Sequence, residues 1–444
     1  MSYEATALLM FASMMALLLT GQRVFAAVGF VAAGAALLLY GTGGVEMPFN
    51  ATFKLFNWFP MLTLPLFIYM GYVLSESGIA EDLYRMLHVW LGRFAGGLAI
   101  GTILLMVVIS AMNGLSVAGM AIGSAIALPE MLRRGYDKVL ITGVVQGGSS
   151  LGILIPPSVV MVLYGVIARE PVSQLWLAGV GPGLLMATMF GIYVWARVRL
   201  NPSLAPALTE EELAMPLREK LALLRAGIIP FLIFFAMTGL FLMGYTSLVE
   251  SAAVGATAAT LAAALKRRLS WRMIRDTARR TLAISCMFLW LILAALAFSA
   301  VFDGIGAVRA VERLFITNWE LTPWQTVILM QLSFIVMGMF LDDTAMLVIV
   351  APLYIPLVKM LDLGIEGQMI WFGVLYTMTC QIAYITPPFG YNLFLMRGLA
   401  PRSITLVDIY RSIWPFVVMM ALTIALVMLF PAIAMWLPQT LTGR

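Results

Sequence analysis

Residues 147–165 read GGSSLGILIPPSVVMVLYG, and residues 381–394 read QIAYITPPFGYNLF. In the first stretch an apolar run of membrane-spanning length is interrupted by two glycines, two serines, a third glycine and the pair Pro156-Pro157. Proline has no N–H for the carbonyl four residues back, and its ring clashes with that carbonyl. A carbonyl left unpaired in hydrocarbon is costly, so irregular backbone at that depth must be buried in protein or line a polar cavity. The second stretch repeats the break at Pro387-Pro388, 231 residues further on. Two ordinary proline kinks are the simpler alternative. Matching Pro-Pro breaks in the two halves of one chain instead favour a pair of broken helices, whose free carbonyls and hydroxyls face a ligand or a cation.

Working outward, the whole chain is membrane-like. Its 444 residues are 62% hydrophobic and 11% charged, where a soluble domain carries about a quarter charged residues. Many apolar runs reach the roughly 20 residues that span a bilayer. The net charge of +5 lies in short loops, so it follows the positive-inside rule and does not point to nucleic acid. Cys286 and Cys380 both sit in apolar segments, and His88 is the single histidine. No disulfide framework or transition-metal spacing follows, and haem, zinc or His-based catalysis is disfavoured. No basic region precedes the first apolar run, so no cleavable signal is read.

In order, spans are expected at 5–20, 24–40 and 61–75, with a loop at 41–60 holding a short interfacial segment. Residues 79–93 form an amphipathic arm lying in the interface. Residues 98–132 are apolar but interrupted by Asn113-Gly114-Leu115-Ser116, which predicts a re-entrant hairpin with its tip there. The broken helix 139–168 and a span at 174–196 follow, then a charged linker at 200–225. The second half repeats the plan, with spans at 226–243 and 248–265 and a basic interfacial arm at 266–280. A span at 281–300, a second hairpin at 323–360 with its tip at 339–344, the second broken helix at 368–396 and a last span at 413–436 complete it. The expected fold class is an all-α polytopic membrane protein, an inverted repeat with two re-entrant hairpins and two broken helices. Each half then makes five crossings, an odd number, which inverts one half relative to the other.

Under the 231-residue offset Asn113 falls on Thr344, so the hairpin tips correspond as the Pro-Pro breaks do. Each half sets a polar tip against a polar break. The first candidate cation site comprises Asn113, Gly114, Ser116, Ser149, Ser150, Pro156 and Pro157. The second comprises Gly338, Asp342, Asp343, Thr344, Thr386, Pro387 and Pro388. Their amide, hydroxyl, carboxylate and main-chain oxygens suit a hard monovalent cation such as Na⁺. Half-helix N-termini favour an anionic substrate group, for which Asn113, Ser116, Ser150, Asp342 and Thr386 are the candidates. No further cofactor is implied. A carboxylate at membrane depth faces a cavity or a partner, which singles out the Asp pair. Adjacent helical residues point about 100° apart, so the pair does not read as a catalytic dyad, and no enzyme is expected. Glu250 opens a span and reads as a helix-dipole partner, with proton coupling as the alternative. A channel could use similar breaks, but two unlike half-sites within one chain favour a secondary transporter.

At these residues the chain resembles the large membrane subunit of tripartite ATP-independent periplasmic (TRAP) transporters, within the ion-transporter superfamily. The most specific pieces are AIALPEMLRRGYDK at 125–138, LGILIPPSVVMVLYG at 151–165, LAGVGPGL at 177–184, GMFLDDTA at 338–345 and TPPFGYNLF at 386–394. The family commonly has Gly-Thr where Ser149-Ser150 stand, and a first tip like Ser-Gly-Ser-Ser-Val-Ala where this chain has MNGLSVA at 112–118. The resemblance implies an elevator-type Na⁺ symporter in the bacterial inner membrane. It would import small organic anions such as C4-dicarboxylates, 2-oxo acids or sugar acids. The partners implied are a periplasmic substrate-binding protein and a smaller four-helix membrane subunit on a separate chain, with lipid around them. It also implies a mobile transport domain at 98–168 and 301–400, and a scaffold at 1–97, 169–300 and 401–444. A proton-coupled carboxylate symporter, or a channel working without a binding protein, is the alternative.

The orientation is testable. With the loop at Arg267 cytoplasmic, ten crossings put both termini outside. Of the 27 Lys and Arg, all but Lys54, Arg169, Arg309, Arg313, Lys359 and Arg444 then fall inside. A cysteine introduced near 444 should label from outside the cell and one near 267 should not. The reverse pattern rules out this register.

Overall fold

Glycine and proline punctuate an otherwise continuous series of apolar helices. The computed structural model describes residues 3–56, 59–92, 94, 96–114, 116–206, 216–306, 321–339, 341, 343–387 and 390–442. The first part of the chain forms α1 (Tyr3–Leu19), α2 (Val24–Tyr40), α3 (Glu46–Phe56), α4 (Thr63–Glu76) and the arm α5 (Ile79–Leu91). The first hairpin follows, descending as α6 (Gly97–Asn113) and returning as α7 (Ser116–Ile122), a π turn and α8 (Leu128–Arg133). The first broken helix is α9 (Lys138–Ser150) and α10 (Val159–Ala168). The long α11 (Val172–Leu200) and α12 (Leu217–Leu242) come next, then α13 (Leu248–Leu265) and α14 (Trp271–Gly304). The second hairpin is α15 (Pro323–Gly338) and α16 (Asp343–Met360), and the second broken helix is α17 (Gln368–Ile385) and α18 (Tyr391–Leu399). The chain closes with α19 (Leu406–Leu429) and α20 (Ala432–Thr442).

Six helices among the described residues are long and apolar enough to cross a membrane, counting α2 with its 3₁₀ extension to Gly44. The limbs α6 and α15 have 17 and 16 residues, short of the roughly 20 that a full crossing takes. Each is followed by a returning helix, as the Asn-Gly interruption and the second polar tip predict. The fold is therefore an all-α inverted repeat. In each half the hairpin packs on its own broken helix: α6 and α7 on α9, and α15 and α16 on α17. The second piece of each broken helix crosses to the other repeat, α10 against α16 and α18 against α7. The side-chain amide of Gln381 donates to the carbonyl of Ser150 at 2.9 Å, across 231 residues. Equivalent positions of the two repeats thus touch, which places this pair beside the pseudo-two-fold axis.

Several boundaries differ from the sequence reading. Residues 266–280 were expected as a separate interfacial arm. The structure instead runs Trp271 to Gly304 as one helix of 34 residues. No glycine or proline falls between 271 and 303 to stop it, so the basic residues from Arg272 to Arg280 lie in the first turns of a spanning helix, and 266–270 are the turn that precedes it. The last span is not one piece from 413 to 436 but α19 and α20, divided at Phe430 and Pro431. Pro431 cannot donate the N–H that would continue α19. The latter part of the linker 200–225 is helical from Leu217 and joins α12. The loop expected at 41–60 holds α3. At the start of α13, Glu250 accepts from the N–H of Ser247 at 2.7 Å while its own N–H donates to the Ser247 hydroxyl at 3.3 Å. This reciprocal cap is the helix-end role read from the sequence.

With lipid outside, helices associate through close packing rather than hydrophobic exclusion, which favours small residues at crossings. Gly143 and Gly147 of α9 face the ring of Phe416 on α19. A β-carbon at Gly147 would lie 2.3 Å from that ring, and one at Gly143 2.6 Å. Phe416 in turn meets Phe190 and Tyr193 of α11 edge-on, with ring centres 5.0 and 5.5 Å apart. Gly147→Ala should therefore cost about 1–3 kcal/mol through overpacking, with part recovered by adding Phe416→Leu. Thermal unfolding of the detergent-purified variants measures this; wild-type stability in the single variant would contradict the packing.

Candidate functional site

The first break is built from consecutive local choices. Asp137 caps α9 through the N–H of Leu140 at 2.9 Å. The helix then ends in a 3₁₀ turn at 151–153, because Pro156 and Pro157 cannot continue it. Ser158 restarts it, its hydroxyl accepting from the N–H of Met161 at 3.2 Å and donating to the carbonyl of Ile153. That donation satisfies a carbonyl which the break would otherwise strand. The indole of Trp176 on α11 donates to the carbonyl of Ser158 at 3.3 Å.

The hairpin tip seats on this break. Gly114 has φ +66°, and a β-carbon there would lie 2.4 Å from the carbonyl oxygen of Pro157. Both constraints select glycine. The carbonyl of Gly114 accepts from the N–H of Val159 at 3.4 Å. Beside the contact, Ser116 opens α7 and is buried, as are Ser149 and Ser150 at the end of α9. The hydroxyl of Ser149 donates to the carbonyl of Gln146 at 2.9 Å, and that of Ser150 to the carbonyl of Gly147 at 2.7 Å. Their protons are spent on their own helix, so lone pairs are what these hydroxyls offer outward.

Asn392, on α18 of the other repeat, completes the cluster. It is fully buried, and its amide nitrogen lies 3.0 Å from the hydroxyl of Ser116 and 3.3 Å from that of Ser149. Its amide oxygen accepts from Ser116 at 3.4 Å. The equivalent position in the first repeat is Met161. The two half-sites are therefore chemically unlike: an amide crosses into the first, a thioether occupies the matching place for the second. Sequence reading missed Asn392 and Gln381 as site residues, although both lie in the quoted stretch 381–394. The available signal was an amide side chain at membrane depth within six residues of a break, where only a polar partner justifies it. Gln381 has a mark of its own, because its buried amide oxygen finds no hydrogen-bond partner among the described residues.

The second half-site is only partly described. Asp342 and Pro388 lie outside the described residues, and the side chains of Asn113 and Thr344 are not described, although their backbones end α6 and lie in the first turn of α16. Asp343 opens α16, and its carbonyl accepts from the phenol of Tyr376 on α17, which fixes the tip to the broken helix. Gly338 ends α15 where a β-carbon would lie 2.2 Å from that of Ala383. Thr386 donates to the carbonyl of Ile382 at 2.6 Å and accepts from the N–H of Gly390 at 3.1 Å through its own carbonyl, spanning the break around Pro387. The structure thus brings Gly114, Ser116, Ser149, Ser150, Pro156 and Pro157 together at the first break. It sets Gly338, Asp343, Thr386 and Pro387 around the second hairpin and break. Among the described residues no group of three His, Cys, Asp or Glu gathers as a metal site would require.

This geometry defines a class: polytopic helical membrane proteins in which two inverted repeats meet at broken helices. The chain belongs to the family described as "Tripartite ATP-independent periplasmic transporter, DctM component", whose model matches residues 11–433. It is 28% identical to the C4-dicarboxylate TRAP transporter large permease protein DctM of Pseudomonas aeruginosa, over 91% of this chain and 92% of that protein. It is 29% identical to the ectoine TRAP transporter large permease protein TeaC of Halomonas elongata, over 85% and 86%. It is 27% identical to the sialic acid TRAP transporter permease protein SiaT of Haemophilus influenzae, over 86% of this chain and 60% of that protein. In fold it is similar to the YdaH transporter of Alcanivorax borkumensis, with a TM-score of 0.60 and 14% identity over 87% of this chain and 88% of that one. The chain is thus a multi-pass membrane permease subunit of a bacterial transport system, of a family of transporters rather than of enzymes.

The cluster yields a stability test. Asn392→Ala removes two donors from buried hydroxyls and should cost about 1–3 kcal/mol. Because Ser149 shares the network, Ser149→Ala should cost less in the Asn392→Ala background than alone. Strict additivity in thermal unfolding would show that the two side chains are uncoupled.

Proposed function

We infer that this permease couples an inward Na⁺ gradient to the uptake of a small organic anion delivered by a periplasmic binding protein. The observation that carries the reading is the first break, where Ser116, Ser149 and Ser150 are buried and the hydroxyls of Ser149 and Ser150 have their protons committed to main-chain carbonyls. Such hydroxyls are lone-pair donors, and with the unpartnered amide oxygen of Gln381 they suit a hard cation. The first cation would be held by Ser116, Ser149, Ser150 and the unwound backbone around Gly114 and Pro157. A second would be held at Thr386 and the second tip, with Asp342, Asp343 and Thr344. The N-termini of α7, α10 and α18 supply positive potential for an acid group. Relatives named for C4-dicarboxylates, sialic acid and ectoine support a solute bearing such a group.

In this reading the hairpins and broken helices move as one body against a frame, with both termini periplasmic. Helices α11 and α19 pack on both α9 and α17, and we assign them to the moving body rather than to the frame that residues 169–300 and 401–444 were expected to share. The frame is then α1 to α4 with α12 to α14, and the arm α5 braces it: Lys266 binds the carboxylate of Asp82 and the carbonyl of Gly78, and Trp90 donates to the carbonyl of Lys220 at 3.2 Å. A smaller membrane subunit, supplied as a separate chain, docks on this frame. Proton coupling through Glu250 is disfavoured because its carboxylate is the cap of α13.

Reconstitution in proteoliposomes tests this. Uptake should need Na⁺, the binding protein and the small subunit, and Thr386→Ala should slow it about tenfold, the equivalent of one lost ligand interaction. Full uptake in Na⁺-free buffer with a proton gradient would overturn Na⁺ coupling. Equal uptake of micromolar solute by this chain alone would overturn the tripartite arrangement.

A further inference from the structure

The basic residues from Arg272 to Arg280 change meaning once they are seen to begin a spanning helix. At 1.5 Å per residue, Leu282 to Gly304 covers about 33 Å, close to the roughly 30 Å hydrocarbon thickness. With Gly304 at the far edge of the hydrocarbon, the residues before Leu282 would stand in the headgroup layer as a continuation of the spanning helix. Trp271, Arg275, Arg279 and Leu282 follow the three- and four-residue spacing that puts side chains on one helix face, and Trp290, two such steps further on, lies at the edge of the same face. All five are exposed, Leu282 at 65% and Trp290 at 57%. The opposite face, with Thr277, Thr281 and Ser285, is buried in the protein. One outward stripe thus runs from apolar side chains at membrane depth into two arginines and then a tryptophan.

Two of the neighbouring cations are engaged elsewhere. Lys266 is bound to Asp82, and Arg280 lies 3.6 Å from Glu76 and over the ring of Tyr72. Among the described residues Arg279 forms no ion pair, and Arg275 meets only the adjacent Asp276 at 3.5 Å. Asp276 is also within 3.8 Å of Arg272, so the stripe keeps a net positive charge.

We propose that Arg275 and Arg279 form a binding site for the headgroup of an anionic phospholipid, whose chains lie along Leu282 and Trp290. Guanidinium groups pair with phosphate oxygens in bidentate fashion. An arginine near a bilayer surface gains about 1 kcal/mol from negative lipid. Continuity with the lipid-facing stripe selects a lipid over a protein or a soluble anion. The site is independent of the transported solute and of the coupling ion.

The test uses the full-length chain in bilayers of phosphatidylcholine with spin-labelled lipids, read by electron paramagnetic resonance. Spin-labelled phosphatidylglycerol should be enriched at the protein about fivefold over phosphatidylcholine in low salt. In the double variant Arg275→Gln/Arg279→Gln the preference should fall towards parity. It should persist in Arg275→Lys/Arg279→Lys and in Arg225→Gln, an exposed cation elsewhere. If the glutamine variant does not fold, the lysine variant still decides: its preference must fall as ionic strength rises. An unchanged preference in the glutamine variant, an equal loss in Arg225→Gln or a salt-insensitive preference would each overturn the proposal. So would loss of the arginine-dependent enrichment when a membrane partner is bound, which would make the surface a protein interface.

Discussion

Irregular backbone inside a bilayer must find partners within the protein, and the fold is arranged to meet that demand twice. At the first break Ser158 accepts and donates across the gap while the tip of the hairpin closes over it. The tip is itself irregular, so each defect supplies what the other lacks: Gly114 gives its carbonyl to Val159 and makes room for the carbonyl of Pro157. Neither a lone hairpin nor a lone broken helix could be stable at this depth. Their mutual closure is what allows polar groups to gather where lipid would exclude them.

The inverted repeat follows from the same requirement. Two such closures in one chain can share a polar centre only if the second pieces of the broken helices cross over, as α10 and α18 do. Exact symmetry would then give two identical half-sites. Asn392 opposite Met161 breaks that equality, and the buried amide commits the first half-site to a fixed network of hydroxyls. Gln381 and Ser150, at equivalent positions and in direct contact, tie the halves at their axis.

Much of this was legible from the residues, for physical reasons. Pro-Pro pairs and an Asn-Gly within apolar runs have few solutions in hydrocarbon, so the breaks at 156–157 and 387–388 and the tip at 113–116 were readable with their partners. The helix-end role of Glu250 followed from its place at the opening of a span. The 231-residue offset was readable because the same constraint acts in both halves. What the sequence concealed depends on packing between distant elements. Asn392 acquires its role from Ser116 and Ser149, 276 and 243 residues away, and no local pattern marks that meeting. The segment 266–280 misled because charge density suggests an interfacial helix, whereas the lack of any breaker before Gly304 lets the helix continue.

The distribution of close contacts bears on what can move. Tight backbone approach occurs where α9 meets Phe416 and where Gly338 meets Ala383, both within the group formed by hairpins, broken helices, α11 and α19. Interlocked surfaces of this kind resist sliding, since displacement by even an ångström forces overlap. The contacts of α4 with α6 and of α14 with α16 join that group to the remaining spans. Along α14 the surface changes character: Phe298, Val301 and Phe302 are buried side chains near its far end, while Arg275 and Arg279 are exposed at the other. A helix anchored to the bilayer surface at one end and packed in the protein along its length is suited to stay put. In the proposed reading, motion of the interlocked group against it would leave the polar centre intact, because every group that closes the breaks would travel together.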